Sequence, residues 1–170
     1  AAIADFDIAI RLNPDDANVY NKRGLVKYAM KQYSAAIADF DIAIRLNPDD
    51  ANAYYMRGFA KNKLGQHFAA IADYDIAIRL KPDLAEAYNN RGNAKAKLGQ
   101  HFAAIADYDI VIRLKPDDAE AYYARGLSKA LLDRTSGAKQ DFQIALRLAI
   151  KAGDANLETK IEKVLRILNK

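Results

Sequence analysis

The stretch LGQHFAAIADYDIAIRLKPD occupies residues 64–83 and returns at 98–117 with Val111 in place of Ala77, a displacement of 34 positions. The same period is kept by Pro14, Pro48, Pro82 and Pro116, by Gly24, Gly58, Gly92 and Gly126, and by Tyr20, Tyr54, Tyr88 and Tyr122. A unit of this size cannot bury its own apolar faces and must be covered by a neighbour, so self-similarity at one fixed period predicts a solenoid of stacked repeats. Duplication preserves the fit, because each interface poses the same packing problem. The register divides the chain into a half unit at 1–16, full units at 17–50, 51–84, 85–118 and 119–152, and a tail at 153–170. Residues 1–16 repeat residues 35–50 without change, so the chain opens within a unit, and the expectation is that an upstream region is missing.

Each unit reads as two helices. ANAYYMRGFAKNKL forms the first, Gly65 and Gln66 make the turn, and FAAIADYDIAIRLK forms the second, with apolar residues three and four apart. Proline cannot continue a helix interior, so Pro82 ends one hairpin, and Asp83 is expected to accept the free amides that open the next. In the tail, Asp154 is the expected cap of a last helix. Leu157, Ile161, Val164, Leu165 and Leu168 lie on one side of it, with Lys160, Glu162, Lys163, Arg166 and Lys170 outward.

These residues resemble the tetratricopeptide (TPR) repeat, a helix-turn-helix unit. The likeness rests on small residues at Gly58, Ala70 and Ala77, aromatics at Tyr54 and Tyr74, Gly65 at the turn and Pro82 at the end, with equivalents over about residues 1–152. It implies an all-α right-handed superhelical solenoid of antiparallel helix pairs, closed by a C-terminal capping helix at 153–170. The repeated RG and RLNPDD phrasing is similar to that of bacterial TPR proteins. Three features depart from the family pattern. Arg23, Arg57, Arg91 and Arg125 stand where an aliphatic residue is usual, Asp133 replaces the turn glycine, and Ile150 replaces the terminal proline.

The arginines recur with aspartates in the second helices: Asp39 and Asp41, Asp73 and Asp75, Asp107 and Asp109, and Asp141 alone. Antiparallel hairpin geometry places each arginine near the first aspartate of its own unit, where a planar guanidinium can hold a carboxylate by two bonds. A structural ladder is therefore expected in preference to a row of arginines gripping acidic ligands.

Nothing in the chain builds an active site, and no enzyme activity or cofactor is expected. The two histidines, His67 and His101, are one repeat apart, and stacked helical layers separate such positions by roughly 10 Å, too far to share a metal ion. Ser34, Ser128 and Ser136 have no matching histidine, and no phosphate-cradling glycine motif occurs. Aspartates two apart on a helix point to different sides and make no acid and base couple. Charges nearly balance, with 26 Lys and Arg against 22 Asp and Glu, which gives no footprint for nucleic acid. No stretch approaches the roughly 18 apolar residues of a membrane span. A cysteine-free chain suits any redox compartment, so localisation is left open, with the cytoplasm slightly favoured.

Binding remains. In TPR arrays the first helices line a concave groove that takes an extended peptide or a helix. By register, the resemblance puts Asn21, Leu25, Tyr28, Tyr55, Met56, Phe59, Asn89, Asn90, Asn93, Tyr123 and Leu127 in that groove. The expected ligand has two or three apolar anchors, with asparagine amides holding its backbone. TPR domains that clamp chaperone C-terminal carboxylates use lysine and asparagine, then asparagine, then lysine and arginine. Here those places hold Asn21 and Leu25, then Met56, then Glu86 and Asn90, so no chaperone carboxylate clamp is expected. The alternative is self-assembly as a homo-oligomer through residues 1–16, where Ile3, Phe6 and Ile10 lose part of their cover.

Overall fold

The computed structural model describes residues 2–169, and the described residues form ten helices joined by short turns, with no strand. They are α1 (Ala2–Leu12), α2 (Ala17–Ala29), α3 (Tyr33–Leu46), α4 (Ala51–Lys63), α5 (His67–Leu80), α6 (Ala85–Lys97), α7 (His101–Leu114), α8 (Ala119–Ala130), α9 (Thr135–Ala152) and α10 (Ala155–Leu168). The chain divides into two compact units, residues 1–87 and 88–170. In the first, each of α1 to α4 packs on the helix that follows it; in the second, α7 packs on α8, α8 on α9 and α9 on α10. Side-chain bonds from Arg91 to Asp107 and from Tyr108 to Asn93 tie α7 to α6.

The core of each hairpin is an aromatic ring laid on a glycine. A Cβ added at Gly24 would lie 2.7 Å from Phe40, one at Gly58 3.0 Å from Tyr74, one at Gly92 2.8 Å from Tyr108, and one at Gly126 2.8 Å from Phe142. All four rings are almost completely buried. The periodic glycine therefore sets how closely the two helices of a hairpin approach, and alanines such as Ala36, Ala70, Ala104 and Ala138, all fully buried, set it again one turn away.

The turn inside the hairpin keeps its shape with or without glycine. Gly65 and Gly99 have φ of 75° and 74°, and the equivalent residues Lys31 and Asp133 adopt φ of 60° and 57°. Left-handed backbone costs a residue with a Cβ about 1 to 2 kcal/mol, which the packing of the two helices overrides.

The helix starts correct one expectation. Asp16, Asp50 and Asp118 cap α2, α4 and α8, their carboxylates accepting from the amides of Asn18, of Asn52 and Ala53, and of Ala121. Each is the second residue after its proline. Asp83 is only the first after Pro82, and the capping position before α6 is Leu84, so the aspartate in that linker stands one place too early. At the other end, with Ile150 in place of proline, α9 runs 18 residues to Ala152 and stops at Gly153, whose φ is 71°. Asp154 then caps α10 by accepting from Leu157 N at 3.0 Å. Leu157 and Ile161 are buried, and Val164, Leu165 and Leu168 pack on the same core as Phe142. No helix among the described residues is long and apolar enough to cross a membrane.

Candidate functional site

The arginines are engaged internally. Arg23 donates through Nε and Nη2 to the two oxygens of Asp39 at 2.9 and 2.6 Å, and through Nη1 to Asp7 of α1 at 2.6 Å. Arg57 holds Asp73 the same way and reaches back to Asp41, and Arg125 holds Asp141 and reaches back to Asp109. Arg91 forks onto Asp107. Hydrogen bonds to Asp39, which outweigh burial, and to Asp7 raise the Arg23 pKa above its ordinary value. For Arg57 and Arg125 burial opposes the charge, yet bonds to Asp73 and Asp41, and to Asp141 and Asp109, still leave the pKa raised. Each guanidinium also lies 5.3 to 5.6 Å from the centre of the tyrosine ring three residues before it.

On the first unit, the face built by α2 and α4 carries an aromatic group. Tyr28 and Phe59 stack at 5.2 Å, Tyr55 and Phe59 at 6.0 Å, and the Lys63 ammonium lies 5.4 Å from the centre of the Phe59 ring. Burial raises the Tyr28 hydroxyl pKa, with Tyr33 and Tyr55 adding to it. Beside this group, Asn21, Leu25 and Met56 line a hollow of about 220 Å³, together with Asp50 and the edge of Phe40. Asn21 Nδ2 donates to Asp50 Oδ2 at 2.7 Å, so this amide nitrogen is already committed.

On the second unit, Asn89, Asn93, Tyr123 and Leu127 line a hollow of about 230 Å³ that Leu157 and Lys160 of α10 complete. Asn93 Oδ1 accepts from the Tyr108 hydroxyl at 2.8 Å. Asn93 and Leu127 also border a larger hollow, about 440 Å³, with Lys97, His101, Ser128 and Leu131. Asn90 borders neither. On α1, Ile3, Phe6 and Ile10 are half-buried, and the apolar side chains most open to solvent are Ile8 and Leu12.

Repetition of this geometry is matched by the comparisons. The family model for the TPR repeat fits residues 24–65, 60–99 and 92–132, more than half of the chain. The chain belongs to the TPR family. Among solved structures, that of MamA is 26% identical over 89% of each chain, with a TM-score of 0.86. YrrB, described as a TPR protein with an unusual peptide-binding site, is 25% identical over 95% of this chain and 81% of its own, with a TM-score of 0.82. The first TPR of Spaghetti (RPAP3), bound to the HSP90 peptide SRMEEVD, is 25% identical over 69% of this chain and 93% of its own, with a TM-score of 0.68. No curated protein sequence matches. The TPR fold makes the chain a scaffold for protein–protein interaction.

Two parts of this TPR architecture escaped the sequence reading. Lys27, Lys61, Lys95 and Lys129 each add an ammonium 2.7 to 2.8 Å from the aspartate that the arginine holds. They keep the period of 34 and stand four residues after each arginine, one helical turn, so the signal was present. The contribution of α10 to the face was hidden, because Leu157 reads as core and Lys160 as solvated surface.

Proposed function

We propose that this TPR protein is a non-catalytic scaffold that holds a peptide or helix carrying apolar anchors against the first helices of its repeats. The observation that carries this reading is the aromatic group on α2 and α4. Tyr28, Tyr55 and Phe59 stack with their ring planes 9° to 23° apart and stay partly exposed, an arrangement that offers rigid apolar area at little entropic cost. Asn89 and Tyr123 provide an amide and a ring on the face of the second unit. The likeness to YrrB and to the RPAP3 domain, each described with a peptide or peptide site, supports a peptide ligand. The likeness to RPAP3 does not extend to its ligand, because Leu25, Met56 and Glu86 stand where the chaperone carboxylate clamp needs amide and lysine side chains.

Selection from a random peptide display library tests the proposal. Enriched sequences should carry two or three spaced apolar residues, and Tyr55→Ala combined with Asn89→Ala should weaken their binding at least about tenfold, a loss of roughly 1.4 kcal/mol. Enrichment that is unaffected by this pair of substitutions would remove the face from consideration.

A second reading, self-association through α1, is favoured by the 82% exposure of Leu12 and by Phe6 being half-buried where its equivalent Phe40 is fully buried. Light scattering after size exclusion, on this chain and on a version beginning at Asp15, separates the two. A concentration-dependent dimer that the shorter version cannot form supports self-association, and monomers in both cases leave the peptide face.

A further inference from the structure

The chain has two histidines in equivalent places, and they differ in the partner offered to Nδ1. His67 Nδ1 lies 2.6 Å from Asn62 Oδ1, an oxygen acceptor placed by α4. One repeat on, the residue equivalent to Asn62 is Ala96, and His101 Nδ1 is buried with no hydrogen-bond partner. Leaving such a nitrogen unpaired is unfavourable, because its lost hydration is not replaced by a bond. Ala96 and His101 both line the hollow of about 440 Å³ in the second unit, so the place that an asparagine amide fills in one repeat is open space in the next.

The rest of that lining indicates what would fill it. Lys97 borders the hollow and makes no ion pair among the described residues, whereas the other lysines of α6 and α8, Lys95 and Lys129, are bound to Asp107 and Asp141. No carboxylate lines the hollow, and the Tyr108 hydroxyl is already used on Asn93. Ala124, Leu127 and Leu131 make most of the remaining wall apolar, with Ser128 between them. The site therefore offers an ammonium and an imidazole nitrogen that lacks an oxygen acceptor, next to apolar surface, with nothing negative to neutralise them.

We propose that this hollow receives an aspartate or glutamate side chain flanked by apolar residues, from a peptide partner. The carboxylate enters beside Ala96, takes the place that the Asn62 oxygen holds for His67, and pairs with Lys97. This rests on the peptide-scaffold reading above and adds the charge of one ligand position. The site is distinct from the chaperone clamp positions, which here carry no cation.

The test titrates the full chain with acetyl-Leu-Glu-Leu-amide, acetyl-Leu-Gln-Leu-amide and acetyl-Leu-Gln-Leu with a free C-terminus, following both imidazoles by NMR. His67 serves as the internal reference. The glutamate peptide should shift the His101 resonances, leave His67 unmoved, and bind roughly tenfold more tightly than the glutamine amide. Lys97→Ala should remove most of that preference. Ala96→Asn, which installs the residue the chain already tolerates at position 62, should give His101 an internal partner, raise stability and abolish the response. Equal binding of the glutamate and glutamine amides overturns the carboxylate assignment while the peptide scaffold stands. Binding confined to the free C-terminus overturns the side-chain source, and so does an unaltered response in Ala96→Asn. If no peptide moves His101, this inference fails, and the scaffold reading is judged by the library selection.

Discussion

At the scale of single residues, near-identity between repeats makes the chain its own control. Phe40, Tyr74, Tyr108 and Phe142 are equivalent rings, all buried against glycine. Tyr108 donates its hydroxyl to Asn93, but the residue equivalent to Asn93 in the preceding repeat is Phe59, and the Tyr74 hydroxyl is buried with no partner. Replacing Tyr74 by Phe should therefore raise stability in urea unfolding by about 1 kcal/mol, because a desolvated hydroxyl is removed and no bond is lost. Tyr108→Phe should cost about 1 kcal/mol, because Asn93 Oδ1 loses its donor. Changes of the same sign at both positions would refute the hydroxyl argument. The turn supports a parallel comparison. Lys31→Gly and Asp133→Gly should each stabilise by about 1 kcal/mol, since glycine adopts positive φ without the Cβ penalty, while Gly65→Ala should do the reverse although nothing lies within 4 Å of its missing Cβ.

At the scale of helices, the arginine ladder has two kinds of rung. Arg57 on α4 forks onto Asp73 of α5, whose side chain is 3% exposed, and also reaches Asp41 of α3, which is 54% exposed. An exposed pair contributes about 0 to 1 kcal/mol, whereas removing one partner of a buried pair costs about 3 to 5 because the other charge stays buried. Lys61 remains on Asp73 and softens that loss. Arg57→Leu should accordingly lower unfolding stability by about 3 kcal/mol, Asp41→Ala by less than about 1, and Arg57→Lys by an intermediate amount for want of the fork. Calorimetry that found Arg57→Leu as harmless as Asp41→Ala would mean that the ladder does not hold the hairpins together. This contrast also marks where sequence reasoning stopped. The bond within a unit followed from antiparallel pairing, and the lysine one turn along the same helix was open to the same argument, but the second bond back to the preceding helix depends on the angle at which hairpins stack, which spacing alone does not specify.

At the scale of the whole chain, the fold was legible because the period, the punctuation by proline and glycine, and the apolar spacing all pointed to the same helix pairs. The segment expected to be helical from 51 to 64 is α4, Ala51–Lys63, and the one expected from 68 to 81 is α5, His67–Leu80. The candidate face was less legible. Asn21 and Asn93 look like free amides in sequence, yet each is bonded within its unit, and a one-residue difference such as Ala96 against Asn62 gains meaning only when the histidine beside it is seen without a partner. Both units carry one deeply buried tyrosine, Tyr74 in the first and Tyr108 in the second, and burial raises the pKa of both hydroxyls well above the ordinary tyrosine range, with nearby tyrosines adding at Tyr74 and Asp107 at Tyr108. The folded chain keeps these protons where the unfolded chain, titrating near pH 10, releases them. The unfolded state then binds fewer protons, so stability is fully present below about pH 10 and falls as pH rises further, by about 1.4 kcal/mol per pH unit for each tyrosine. Urea unfolding from about pH 9 to 12 should show this decline, and Tyr74→Phe with Tyr108→Phe should flatten it by the contribution of two groups. A double variant that kept the original alkaline slope would mean that both hydroxyls ionise in the folded chain at their ordinary value and that burial does not hold their protons.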